Sequence, residues 1–162
     1  MIEPLPLVWK QFEEAHAALR QALAEVPDER LLWRPPGAKG DAVATIVQDV
    51  ARANAYYAHL IEHGGPVPPW EMEESPGRDR LLERLAESEQ QVREAFERMT
   101  PNSLRQPRAE KGWALGLPAD GPLDALWFAM EIVRHACYHV GQLHIYRNLW
   151  EAEDGACSRA GG

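Results

Sequence analysis

The residues best equipped for chemistry lie in one stretch, RHACYHVGQLHIYR at 134–147, which holds three of the chain's six histidines. His135 and His139 are four residues apart. On an α-helix they share one face, about 6 Å apart along the axis. Two imidazoles so placed can close on one divalent ion. The same spacing also suits a hydrogen-bonded core histidine beside a solvated one, so HxxxH alone leaves both readings open. His144 lies five residues past His139, about 140° round the helix, and should take no part.

The element that must carry the pair is a helix expected over 123–151. Asp120 or Gly121 can cap it, and Pro122 and Asp124 suit its first turn. Phe128, Ile132, His135, His139, Gln142, Tyr146 and Leu149 make one stripe along it. Three more helices are expected. The first covers 5–26, with the seam Val8, Phe12, Ala15, Leu19, Ala22 and Val26. The second covers 42–63, behind Asp41 as N-cap. The third covers 78–99, with Leu81, Leu85, Ser88, Val92, Ala95 and Met99 in step. Pro27, Gly64-Gly65 and Thr100-Pro101 stop them. Four amphipathic helices with one apolar seam each imply an all-α four-helix bundle.

On the second helix Asp49 falls in the stripe of Ile46, Ala53, Tyr56 and Leu60, while Gln48 falls with Ala44, Arg52 and His59 on the other side. An inward aspartate must be paired, hydrogen-bonded or metal-bound, because an isolated buried carboxylate is very costly. A stripe that drifts would instead leave Asp49 half exposed. His16, at the edge of the first seam, reads as structural or solvated. Leu32 and Trp33 are expected to cover one end of the core. The proline- and glycine-rich connection over 101–122 is long enough for a lid or binding loop, and Trp113 and Leu115 are expected to anchor it. Residues 152–162 are small and polar, and a disordered tail is expected there.

Composition narrows the function. A chain of 162 residues is most simply one domain, here 1–151 followed by the tail. The net charge of −8 and the lack of any basic stripe argue against nucleic acid as a partner. No apolar run approaches the length of a membrane span, and the N-terminal residues do not read as a secretory signal. Cys137 and Cys157 do not form a disulfide framework, so a cytoplasmic location is expected. There is no glycine-rich phosphate loop and no nucleophile elbow. Trp9, Trp127 and Trp150 place large apolar groups on a second side of the first and last helices, which suggests a homodimer.

Three segments together resemble the DinB-like superfamily, also described as YfiT-like metal-dependent hydrolases. LLWRPPGAKGDAVATIVQDV (31–50) is similar to the connection leading into the family's second helix. ARANAYY (51–57) is similar to its continuation. HACYHVGQL (135–143) matches the HxxxHxGQ pattern of the last helix. The resemblance implies a four-helix bundle that binds a divalent metal through one histidine of the second helix and two of the last. It implies His135 and His139 as ligands, and it puts Asp49 where the family has a histidine. Carboxylate is a competent ligand for zinc, nickel, manganese or iron. Family members include thiol-dependent transferases and isomerases. The implied function is therefore that of a metal-dependent transferase or hydrolase acting on a small molecule such as a thiol adduct, with Tyr56 and Gln142 orienting the substrate. The alternative is a non-catalytic stress-related or interaction bundle whose metal site is modified or lost.

Overall fold

The computed structural model describes the backbone of residues 1–37, 40–114 and 117–160, and side chains over the same ranges except 113–117 and 155–160. The described chain is mostly helical. It comprises α1 (Leu5–Ala24), α2 (Val43–Glu62), α3 (Arg78–Arg98), the one-turn α4 (Pro101–Leu104) and α5 (Ala125–Ala160). A 3-10 turn occupies Asp28–Arg30, and β1 (Pro107–Ala114) pairs antiparallel with β2 (Leu117–Asp124). Among these described residues no helix is long and apolar enough to cross a membrane.

The four long helices begin and end within two residues of their expected limits, except at the last end. The caps differ in detail. Ala42 precedes α2 and no side chain caps it, so Asp41 does not serve there. At α5 the cap is Asp124, whose carboxylate accepts the Trp127 backbone N–H at 2.8 Å. Asp120 and Gly121 belong to β2 instead. Gly64 closes α2 as expected, at φ +64° and with its N–H on the Leu60 carbonyl.

Beyond Glu151, where a stop and a disordered tail were expected, α5 is helical to Ala160. No proline interrupts residues 152–160, and the single Gly155 costs only about 1 kcal/mol. Side chains of the 25–33 connection also hold this end. The Trp33 indole N–H donates to Glu153 and the Arg30 guanidinium to Asp154. Arg147 reaches Glu25. Trp33 packs edge-on against Tyr146 and Trp150, as expected of a residue covering the core, whereas Leu32 is exposed.

Residues 101–122, where a lid or open binding loop was expected, instead form α4 and most of the hairpin. Thr100 and Ser103 cap α4 reciprocally. The hairpin has two register irregularities, which accommodate residues that suit a regular strand poorly. Gly112 lets it lie on the start of α5. A Cβ there would stand 2.8 Å from a Leu123 methyl and 3.1 Å from the Trp127 ring. The expected anchoring by Trp113 and Leu115 lies outside the described side chains.

Helix α5 packs on α1 and α2, and α2 also packs on α3. The buried apolar residues fall into two clusters stacked along the helices. One holds the first half of α1 and α5 with the second half of α2 and α3, and the other holds the remaining halves. Polar side chains occupy the level between them. His16, Asn54 and Ser88 lie buried at that level on one side, and Asp49, His135 and His139 gather on another. Asn54 follows Asp49 by five residues, so α2 turns them about 140° apart and serves both groups.

Candidate metal centre

Asp49 projects from α2 toward the stripe of α5 that carries His135 and His139. The Asp49 Oδ2 atom lies 3.3 Å from Nε2 of His135 and 3.3 Å from Nε2 of His139. The two imidazole nitrogens are themselves 3.3 Å apart. Three potential ligand atoms thus form an equilateral triangle. Tetrahedral zinc with N and O ligands at about 2.0–2.2 Å holds its donors about 3.3–3.6 Å apart, so the triangle fits a four-coordinate ion.

Protonation also favours a cation. The Nδ1 atom of His139 faces Gln142 Oε1 at 2.9 Å, and Gln142 Nε2 donates to the Tyr146 hydroxyl at 3.3 Å. With Nδ1–H donated to Gln142, the His139 Nε2 presents a bare lone pair to the cluster. Ionised Asp49 offers only acceptors. His135 Nδ1 is buried without a hydrogen-bond partner. At most one N–H, that of His135, is then left for two facing acceptors, whereas an ion would satisfy all three atoms.

Asp49 is 28% exposed, an outcome that the drifting stripe allowed. Its second oxygen, Oδ1, accepts from Arg52 at 3.1 and 2.6 Å. By the apolar pattern of the sequence Arg52 falls on the other side of α2. Three residues turn a helix by about 300°, leaving Arg52 only 60° from Asp49, near enough for a long side chain. Burial alone would raise the Asp49 carboxyl. The neighbouring imidazoles and the Arg52 guanidinium outweigh it and hold the group well below the usual carboxylate range. Gln48, also assigned to that other side, is buried, and its amide exchanges two hydrogen bonds with the Glu73 backbone.

The two expected substrate contacts separate. Gln142 binds His139, which supports a ligand-orienting role. Tyr56 stands on the exposed side of α2, one turn past Arg52, and lines a neighbouring cavity with it. Glu131, which no motif marks, is buried one turn before His135, and Arg134 pairs with it at 2.5 Å. Burial, followed by the Glu131 charge, pushes the Tyr57 phenol above its ordinary value. A carboxylate at i−4 from the first histidine was the available signal. His144 is exposed and outside the cluster, as its spacing required.

The arrangement defines a mostly helical protein with a three-donor site that could hold a metal ion. A sequence profile of the DinB superfamily matches residues 11–143, and the chain belongs to that superfamily. Among solved structures, the conserved protein of a locus from Enterococcus faecalis superposes with a TM-score of 0.71 over 92% of this chain and 98% of that one, at 16% identity. That likeness concerns the fold alone. No curated protein matches the sequence.

Proposed function

We propose that the chain is a metal-dependent enzyme with the DinB-type four-helix bundle, acting as a transferase or hydrolase on a small molecule such as a thiol adduct. The observation that carries this reading is the 3.3 Å triangle of Asp49, His135 and His139, half-open to the surface. A divalent ion there would lower the pKa of a bound water or thiol and supply a nucleophile at neutral pH. Asp49 and the two histidines hold it, Gln142 and Arg52 fix their orientation, and the exposed side of the cluster admits substrate. The acidic balance of the chain favours a small-molecule substrate over nucleic acid.

Elemental analysis of untagged protein, together with turnover of cysteine and 1-chloro-2,4-dinitrobenzene as a generic thiol and electrophile, tests the reading. About one equivalent of zinc, nickel, manganese or iron is expected, with turnover that disappears in His139→Ala. Protein that neither retains nor takes up any of these ions would refute it.

We also propose a homodimer. Trp150 is buried in the core, and Trp9 and Trp127 pack against it, so they do not form an outer apolar side. What supports association is the outer face of α5, where Met130, Tyr138, Ile145 and Leu149 are exposed. Light scattering giving a monomer mass at micromolar concentration would argue against it. A cytoplasmic location is proposed from cysteine usage, since Cys137 and Cys157 do not read as a disulfide framework.

A further inference from the structure

Asp49, Arg52, Tyr56, His59 and His63 are spaced 3, 4, 3 and 4 along α2. They fall within a sector of about 80°, a polar stripe down one side of the helix. At one end of it stands the candidate metal centre. At the other a cavity of about 450 Å³ opens between α2, α3 and residues 67–70. Arg52 belongs to both, since its guanidinium bonds Asp49 and its side chain lines the cavity.

We propose that this cavity is a substrate subsite, which takes the flat apolar part of a small molecule whose reactive end lies at Asp49, His135 and His139. This rests on the metal reading above and adds the shape and polarity of the substrate. The size is that of ordinary ligand pockets. Ala55, the Tyr56 ring, Pro68, Pro69 and Trp70 supply apolar walls, and prolines and aromatic rings suit a planar group.

The outer wall is pre-formed. The Arg84 guanidinium lies over the Trp70 ring at 5.1 Å and donates to the Glu71 carbonyl at 2.8 Å. Gln48 clamps the Glu73 backbone, and His59 Nε2 meets the Pro66 carbonyl at 3.0 Å. Little ordering is left for a ligand to impose. Charge sets the direction. Glu62 and Glu94 line the cavity, each paired with Arg98, and these carboxylates disfavour an added anion at that end. The cation shared with the metal centre is Arg52, so an electron-rich end faces the metal and the apolar part lies toward Trp70. The rise from Asp49 to Tyr56 is roughly 10 Å, which sets the separation between the two parts.

Zinc-loaded protein titrated with acetohydroxamate and with 5-phenylpentanehydroxamate tests this. Both carry the same metal-binding head, and only the longer reaches the cavity. The phenyl compound is expected to bind at least about tenfold more tightly, the gain from burying one ring. Ala55→Trp and Gln91→Trp each fill the cavity, from α2 and from α3, and either should bring the affinity ratio of the two compounds to about one. Gln91 is exposed, so its replacement does not challenge folding. Equal affinities in the unaltered protein, or a ratio that survives a folded Gln91→Trp variant, would overturn the subsite and leave the metal reading intact. Binding of neither hydroxamate to zinc-supplied protein would overturn the metal reading and the subsite together.

Discussion

Two groups of side chains at the same level of the molecule pair histidine with a carboxylate, and they come to opposite ends. On one side His16 is buried and fully used. Asn54 Nδ2 donates to its Nε2, and its Nδ1 meets Glu89 at 2.7 Å. Asn54 also donates to Ser88, Ser88 to the Leu85 carbonyl, and Arg20 to the other Glu89 oxygen. On the other side three donor atoms converge with too few protons between them. A histidine with partners on both ring nitrogens is a strut between helices. Histidines whose Nε2 atoms face each other beside a carboxylate make a donor set that could hold a cation. Residue type does not distinguish the two; the direction of the lone pairs does.

The widest separation between the groups should come from alanine at their histidines. His135→Ala or His139→Ala should weaken zinc binding by more than the roughly 10–100-fold typical of outer partners, while the helical circular dichroism signal is kept. His16→Ala should leave zinc affinity alone and lower the stability measured in urea by about 2–3 kcal/mol, because Glu89 and Asn54 lose a buried partner. If His16→Ala removed the metal, the division between strut and site would be wrong.

Next in size is Gln142→Ala, expected to cost about 10–100-fold in zinc affinity by isothermal titration, since His139 would lose the acceptor that fixes its tautomer. An effect below twofold would show that Gln142 orients something other than the ligand. His144→Ala is the companion control and should change nothing.

The groups should also part on acidification. Zinc should leave below about pH 6 as protons compete for the imidazole nitrogens. The strut outlasts that. Burial would raise the Glu89 carboxyl, but His16 and Arg20 hold it lower than usual. A depressed folded-state value stabilises the protein above the unfolded value of about 4.3, and this contribution is lost as pH falls below it. Glu89→Gln should therefore flatten the loss of stability below about pH 4 and leave the metal-release midpoint unmoved, as urea titrations at stepped pH would measure.

The smallest effect is expected at Gly40. A Cβ there would stand 2.6 Å from the Tyr146 hydroxyl, which must then move away from Gln142. Gly40→Ala should weaken zinc binding only a few-fold, and the Tyr146→Phe replacement should relieve the contact without restoring the hydrogen bond.

How much of this was legible follows the range of each interaction. His135 and His139 were readable because four residues on one helix fix their relation locally, and apolar spacing placed the long helices in the same way. Asp49 needed both its stripe and the family pattern, and even so its exposure and its Arg52 partner emerged only from packing. Gln142 lay on the right stripe, but its contact with His139 could not be separated from a contact with substrate. The hairpin was illegible because prolines and glycines interrupt both strands, and its place on α5 depends on a close approach at Gly112. The Glu89 partner of His16 lies on a helix distant in sequence, where periodicity has no reach.

The position of Asp49 on α2, opposite the histidines of α5, has a consequence for the history of the fold. The two helices lie far apart along the chain, so an ion bound by all three groups acts as a crosslink that closes a long loop. Entropy loss on closure grows only with the logarithm of loop length, so such a clip can be effective over so great a span. Free metal at a hundred times its dissociation constant would add about 2.7 kcal/mol to the unfolding free energy. The supply of metal in the surroundings would then set not only whether the protein works but how long each copy survives unfolding and proteolysis.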